Sequence, residues 1–153
     1  MGFFLYASFP NSRNKNRAPT ATADTTQVTA NGSASPVPTL VAASNTNRTY
    51  VSLQNTDLTN DGYYGYATTG VQDPSVVATF GVPGDLFVST GTNKLYVKTD
   101  TGITTAWTIT VLSAVGWLLR AGQIAGNLES LQDIYVQSAA PATILIDVDQ
   151  GQG

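Results

Sequence analysis

The sequence predicts an all-β chain: an antiparallel β-sandwich of jelly-roll type with an extended N-terminal arm. Three observations lead there. From Val37 onward the apolar residues come in short runs with period-two alternation, separated by clusters of Gly, Pro, Asn and Asp. No stretch offers a convincing helix. Residues 118–131 carry a weak helical pattern, and Gly122 and Gly126 argue against it. Polarity comes from Thr, Ser, Asn and Gln, with only 11% of the 153 residues charged, against the usual quarter. Short hydroxyls and amides cost little rotamer entropy when ordered. A surface made of them packs against neighbours without desolvating charge. Such a surface suits a protein that lives in an assembly, or an ordinary Thr-rich sandwich.

Residues 1–36 read as the arm. Phe3, Phe4, Leu5, Tyr6 and Phe9 form an apolar tip, followed by a basic, Asn-rich stretch with Arg13, Lys15 and Arg17. Residues 18–38 are mostly Ala, Thr, Ser and Pro, with Asp24 as the one charge and neither helical nor strand periodicity. Such a segment does not fold alone. Five large apolar side chains at its tip predict an anchor that docks on a partner subunit or swaps within an oligomer. The alternative is a first strand returning to its own sheet. The three basic residues either meet an acidic partner surface or solvate the arm.

The sandwich domain is expected over residues 37–149, with an inserted hairpin region at about 81–110 and a polar tail at 150–153. Residues 37–43 form a short strand broken by Pro38. Over residues 48–55, Tyr50 and Ser52 take one face and Val51 and Leu53 the other. Asp57, Asn60, Asp61 and Gly62 mark a turn. Tyr63, Tyr64, Tyr66 and Ala67 make the next strand, and residues 76–80 a further apolar run. Residues 85–89 and 94–99 flank a Thr-Gly-Thr-Asn loop, the clearest hairpin in the chain. Residues 106–111 and 115–119 read as another pair, and 121–131 is less regular. Residues 133–138 and 143–148 read as a final hairpin around Ala140-Pro141.

The composition removes much chemistry. Without cysteine there is no disulfide, thiolate metal site or thiol nucleophile. Without histidine the commonest general base and metal ligand are gone. A net charge of -3 leaves no basic excess for nucleic acid. The apolar start is too short to span a bilayer. Its positive charges follow the apolar run where a signal peptide would place them first. No membrane partner and no cofactor are expected.

The candidate carboxylate pairs for glycan hydrolysis are Asp57 with Asp61, Asp147 with Asp149, and Glu129 with Asp133. Turn geometry and strand ends explain each without catalysis. The loop from Asp57 to Gly62 lacks EF-hand spacing. Lys94 and Lys98 read as solvated surface charges, and Trp107 and Trp117 as core or interface residues. Tyr63, Tyr64 and Tyr66 either stack on a sugar or pack across a sheet. The chain is expected not to be an enzyme.

Two stretches carry a resemblance. Asn47-Arg-Thr-Tyr-Val-Ser-Leu-Gln-Asn55 and Asp133-Ile-Tyr-Val-Gln-Ser-Ala-Ala-Pro-Ala-Thr-Ile-Leu-Ile-Asp-Val148 resemble a small tailed-phage virion module. Gly84-Asp-Leu-Phe, Leu95-Tyr-Val-Lys, Gly102 and Trp107 are similar to a hairpin of phage fibre and adsorption proteins. The matches cover about half of the chain. Where the family shows a Pro-Gly-Glu-like turn, this sequence has Ala121-Gly-Gln123. The resemblance implies a head decoration (cement) protein on the outside of the capsid, made in the host cytoplasm. Its partners would be the major capsid protein and its own copies, as a homotrimer. The alternative is a tail or fibre adhesin that touches a host glycan through residues 63–66 or the loop at 91–93.

Overall fold

A computed structural model of the chain describes residues 22–30, 37–128, 131–139 and 142–152. The fold is all-β. Strands β1 (Thr22–Ala30), β13 (Ile144–Gln152), β3 (Arg48–Asn55) and β11 (Ile124–Leu128) form one antiparallel sheet in that order. Strands β2 (Thr39–Ala42), β12 (Asp133–Ser138) and β4 (Gly62–Gly70) begin the second. The first half of β4 also pairs β10 (Trp117–Leu119). Its last residues pair in parallel with β6 (Leu86–Ser89), which continues the sheet through β7 (Lys94–Lys98) to β9 (Trp107–Thr110). Strands β5 (Thr79–Gly81) and β8 (Gly102–Thr104) make a separate ribbon.

Alternation explains the sandwich. Val51 and Leu53 of β3 are fully buried while Ser52 and Gln54 are half-buried. Leu53 stands across from Val148, and both join Ile134, Val136, Ile144, Ile146 and Leu119 in the core between the sheets. Removing such side chains from water contributes roughly 25 cal/mol per Å2 of apolar area. Strand β12 is buried on both faces: Ile134 and Val136 point into the sandwich core, and Tyr135 packs on Ala67, Leu86, Val88, Leu95 and Leu112. The inserted region covers that outer face, and its hairpin is part of the main sheet through the β4–β6 pairing. Helix α1 (Leu112–Val115) presses the fully buried Leu112 down there, with its N–H donating to Gln137 Oε1 at 3.0 Å. A Cβ at Gly65 would lie 2.9 Å from Leu112 Cδ2, so the glycine lets the helix seat.

The clear hairpin is present: β6 and β7 pair from Leu86↔Val97 to Ser89↔Lys94 around the Thr90–Asn93 loop, with Asn93 at φ 58°. Several sequence expectations are corrected. Residues 22–30 form strand β1 despite lacking periodicity. Its Thr-rich sequence needs only backbone pairing along an edge, so no apolar face is written into it. Gln150 and Gly151 are no tail but lie within β13, paired on both sides; a Cβ on Gly151 would collide with the Tyr50 ring. Strands β12 and β13 belong to different sheets, so their link crosses the sandwich and closes no hairpin. Residues 106–111 and 115–119 do not pair either, because β9 pairs β7 and β10 pairs β4. Four residues between them are helical where no helix was expected.

Candidate functional site

Period-two alternation along β4 sorts its tyrosines. Gly62, Tyr64 and Tyr66 face the sandwich core, and Tyr63, Gly65 and Ala67 face the inserted region. The three tyrosines grouped by the sequence therefore divide: Tyr63 lies on the opposite side from the other two. Trp117 takes its place. It stands across from Tyr64 in the β10–β4 pair, stacked at 5.6 Å and 29° on Tyr64 and 5.3 Å from Tyr66. Tyr64 and Tyr66 meet edge to face at 6.5 Å. Burial pushes both phenols up, Tyr66 with a further push from Tyr64. The cluster caps the core at its β10 side. Trp117 is 53% exposed, so the cap is also an open aromatic surface. The sequence marked Trp117 only as a core or interface residue and did not join it to the tyrosines; at Gly116 a Cβ would lie 2.6 Å from Tyr64 O. That close approach puts the indole beside the tyrosines.

A second uncovered surface lies on the β5–β8 ribbon. Phe80 and Ile103 are directly opposed, each 70% exposed, with Val82, Val76 and Val77 also exposed nearby in sequence. Beneath the ribbon, Lys98 is 2% exposed, correcting its reading as a solvated charge. Its ammonium sits 2.7 Å from Asp100 and 5.3 Å from the Trp107 ring centroid, and donates to Thr104 Oγ1. Trp107 donates to Thr79 O at 3.2 Å and packs on Phe87. The lysine holds β8 and β9 together. The hydrogen bond from Lys98 is the first cause that holds the Asp100 carboxyl below its usual range.

The candidate acids are mostly engaged. Asp57 Oδ1 accepts the N–H groups of Thr59 and Asn60 at 2.7 and 2.8 Å, which lowers its pKa. Asp61 Oδ1 accepts the Ala121 N–H at 2.8 Å. Asp133 accepts the Ser44 N–H at 2.6 Å and the Thr69 hydroxyl, beside a cavity of about 260 Å3. Asp147 and Asp149 of β13 line a depression of about 250 Å3 with Ser52 and Gln54 of β3 and Ile124 of β11. Oδ1 of each is buried without a hydrogen-bond partner. Among the described residues no group of three His, Cys, Asp or Glu side chains comes together to hold a metal. No described helix is long and apolar enough to cross a membrane. Phe3, Phe4, Leu5, Tyr6, Phe9, Arg13, Lys15, Arg17 and Glu129 lie outside the described residues.

The two ends of the Arg48–Asn55 motif are structural. The Arg48 guanidinium is buried and donates to Ala43 O and, at 3.3 Å, to Gln132 O. Asn55 donates to Asn60 O and Leu119 O at 2.9 and 3.3 Å and accepts the Asp57 N–H at 3.1 Å. Comparison with known proteins finds no matching family model, no matching curated protein and no matching solved structure.

Proposed function

We propose that the chain is a non-enzymatic structural component of a tailed-phage particle, a decoration protein on the outside of the capsid shell. The observation that carries the assembly role is the β5–β8 ribbon, where Phe80 and Ile103 stand opposed and 70% exposed. Contiguous apolar surface of this kind marks contact with a partner. The scarcity of charge agrees with surfaces that are buried on assembly. The phage assignment rests on the resemblance of residues 47–55 and 133–148 to virion modules. In this account the ribbon sits on the major capsid protein. The tip Phe3, Phe4, Leu5, Tyr6 and Phe9, followed by Arg13, Lys15 and Arg17, adds an anchor across a subunit junction. Copies of the chain associate, with a homotrimer as the stoichiometry expected from the sequence. Avidity then raises occupancy.

The test is co-sedimentation of the purified chain with phage heads that lack it. Wild type is expected to saturate the shell. The double variant Phe80→Asp with Ile103→Asp is expected to bind at least tenfold more weakly while keeping its far-UV dichroism. Undiminished binding by the folded variant removes the ribbon from the account. Binding by neither protein removes the decoration role itself.

A tail adhesin is the second reading, favoured by the open Trp117 ring stacked on Tyr64. Sugar faces stack on such rings. It predicts saturable binding of host polysaccharide that Trp117→Ala abolishes.

A further inference from the structure

We propose that two copies of this chain join edge to edge through β1, antiparallel and about a two-fold axis at Thr26. Their four-stranded sheets then become one continuous sheet. The inference stands apart from the phage assignment. Among the described residues β1 pairs only with β13, leaving its other edge a row of backbone donors and acceptors with no strand beside it. Natural proteins blunt such edges with short strands, bulges, proline or lysine. The other edges here are blunted. Strand β2 has four residues, follows Pro38 and meets an irregularity at Ile134/Tyr135. Strand β11 breaks register between Ala125 and Leu128, with Asn127 at φ 57°. Strands β9 and β10 have four and three residues. Strand β1 runs nine residues in unbroken register, with no proline, lysine or arginine and Asp24 as its one charge.

The sequence of β1 also says what fits it. Turned antiparallel on itself with all nine residues overlapping, Thr22 meets Ala30, Ala23 meets Thr29, Asp24 meets Val28, Thr25 meets Gln27, and Thr26 meets Thr26. No like charges are opposed, and the central Thr–Thr pair is a favourable cross-strand pair. The two Asp24 residues stand four positions apart, roughly 13 Å at the rise of a strand. Any shifted register loses pairs from this set. A self-complementary patch of this kind is what a two-fold interface requires.

The absence of cysteine gives a direct test. In the full chain carrying Thr26→Cys, the two thiols stand across the axis. Opposed residues of an antiparallel pair have Cα atoms about 4.5–5.5 Å apart, within disulfide span. Mild oxidation is expected to yield a covalent dimer at least tenfold faster than with Val28→Cys, whose partner position is Asp24. Light scattering of the unmodified chain is expected to give an even multiple of 16.0 kDa, so that the homotrimer expected from the sequence occurs only joined in pairs, as a hexamer. A monomer or an isolated trimer overturns the proposal, including the case in which β1 pairs only with a different protein. Equal cross-linking at positions 26 and 28 overturns it as well.

Discussion

At Asn55 one amide holds three segments together: the end of β3, the turn through Asn60, and Leu119 of β10. Replacing it with leucine removes these bonds and leaves the buried Leu119 carbonyl without this donor. Asn55→Leu is expected to lower unfolding free energy by on the order of 3 kcal/mol, read by denaturant titration. The sequence marks Asn55 only as a polar residue closing a strand, because its partner at Leu119 lies 64 positions away. Lys98 was illegible for the same reason. Its burial depends on β8 and Trp107 folding over it, which no local pattern records. Acid sensitivity belongs to this scale too. Asp57, Asp73 and Asp100 all have carboxyls lowered on folding, by hydrogen bonds from Asn60 and Thr59, from Ser75, and from Lys98 and Thr104 respectively. Their contribution is fully present above the ordinary carboxylate pKa of about 3.9 and is lost as pH falls through the lower folded values. With no histidine, melting temperature is expected to stay level from about pH 8 to 5 and to drop below about pH 4. Asp57→Asn should flatten part of that acid limb.

Among the elements, β12 shows what alternation conveys and what it omits. Residues 133–138 correctly read as a strand, and the fold puts Ile134 and Val136 on its core face. That Tyr135 is buried as well follows from the inserted region lying on the outer face, a contact between segments distant in sequence. The hairpin β6–β7 was legible because a short loop fixes its pairing locally. The parallel β4–β6 pairing was not, since parallel neighbours need a long crossover with no local signature. Strand β1 escaped notice because an edge strand of threonines has no apolar period. Helix α1 is too short for any period to show, yet its Leu112 pins the insert. Leu112→Ala is expected to cost about 3 kcal/mol. Hydrogen exchange should quicken first at residues 86–98 and later in β3 and β13. Uniform quickening would mean that the insert and the sandwich open as one unit.

For the molecule as a whole, the all-β sandwich was legible from turn spacing and alternation, and the two-sheet core bears it out. The surfaces on which the proposed assembly rests were harder to read. The Val76–Phe80 stretch read only as a short apolar run, and only the fold reveals that Phe80 and Ile103 are left uncovered. Tyr64 and Tyr66 were named from the sequence, while Trp117 reached them through the fold. An uncovered ribbon, an unblunted edge and a content of only 11% charged residues support the proposed role as one unit of a repeating coat. The most direct test is the copy number of this chain relative to the major capsid protein, by quantitative mass spectrometry of purified particles. A decoration protein predicts a ratio near one, or near one third. A ratio of a few per cent or less would contradict it and place the chain on a vertex, tail or fibre.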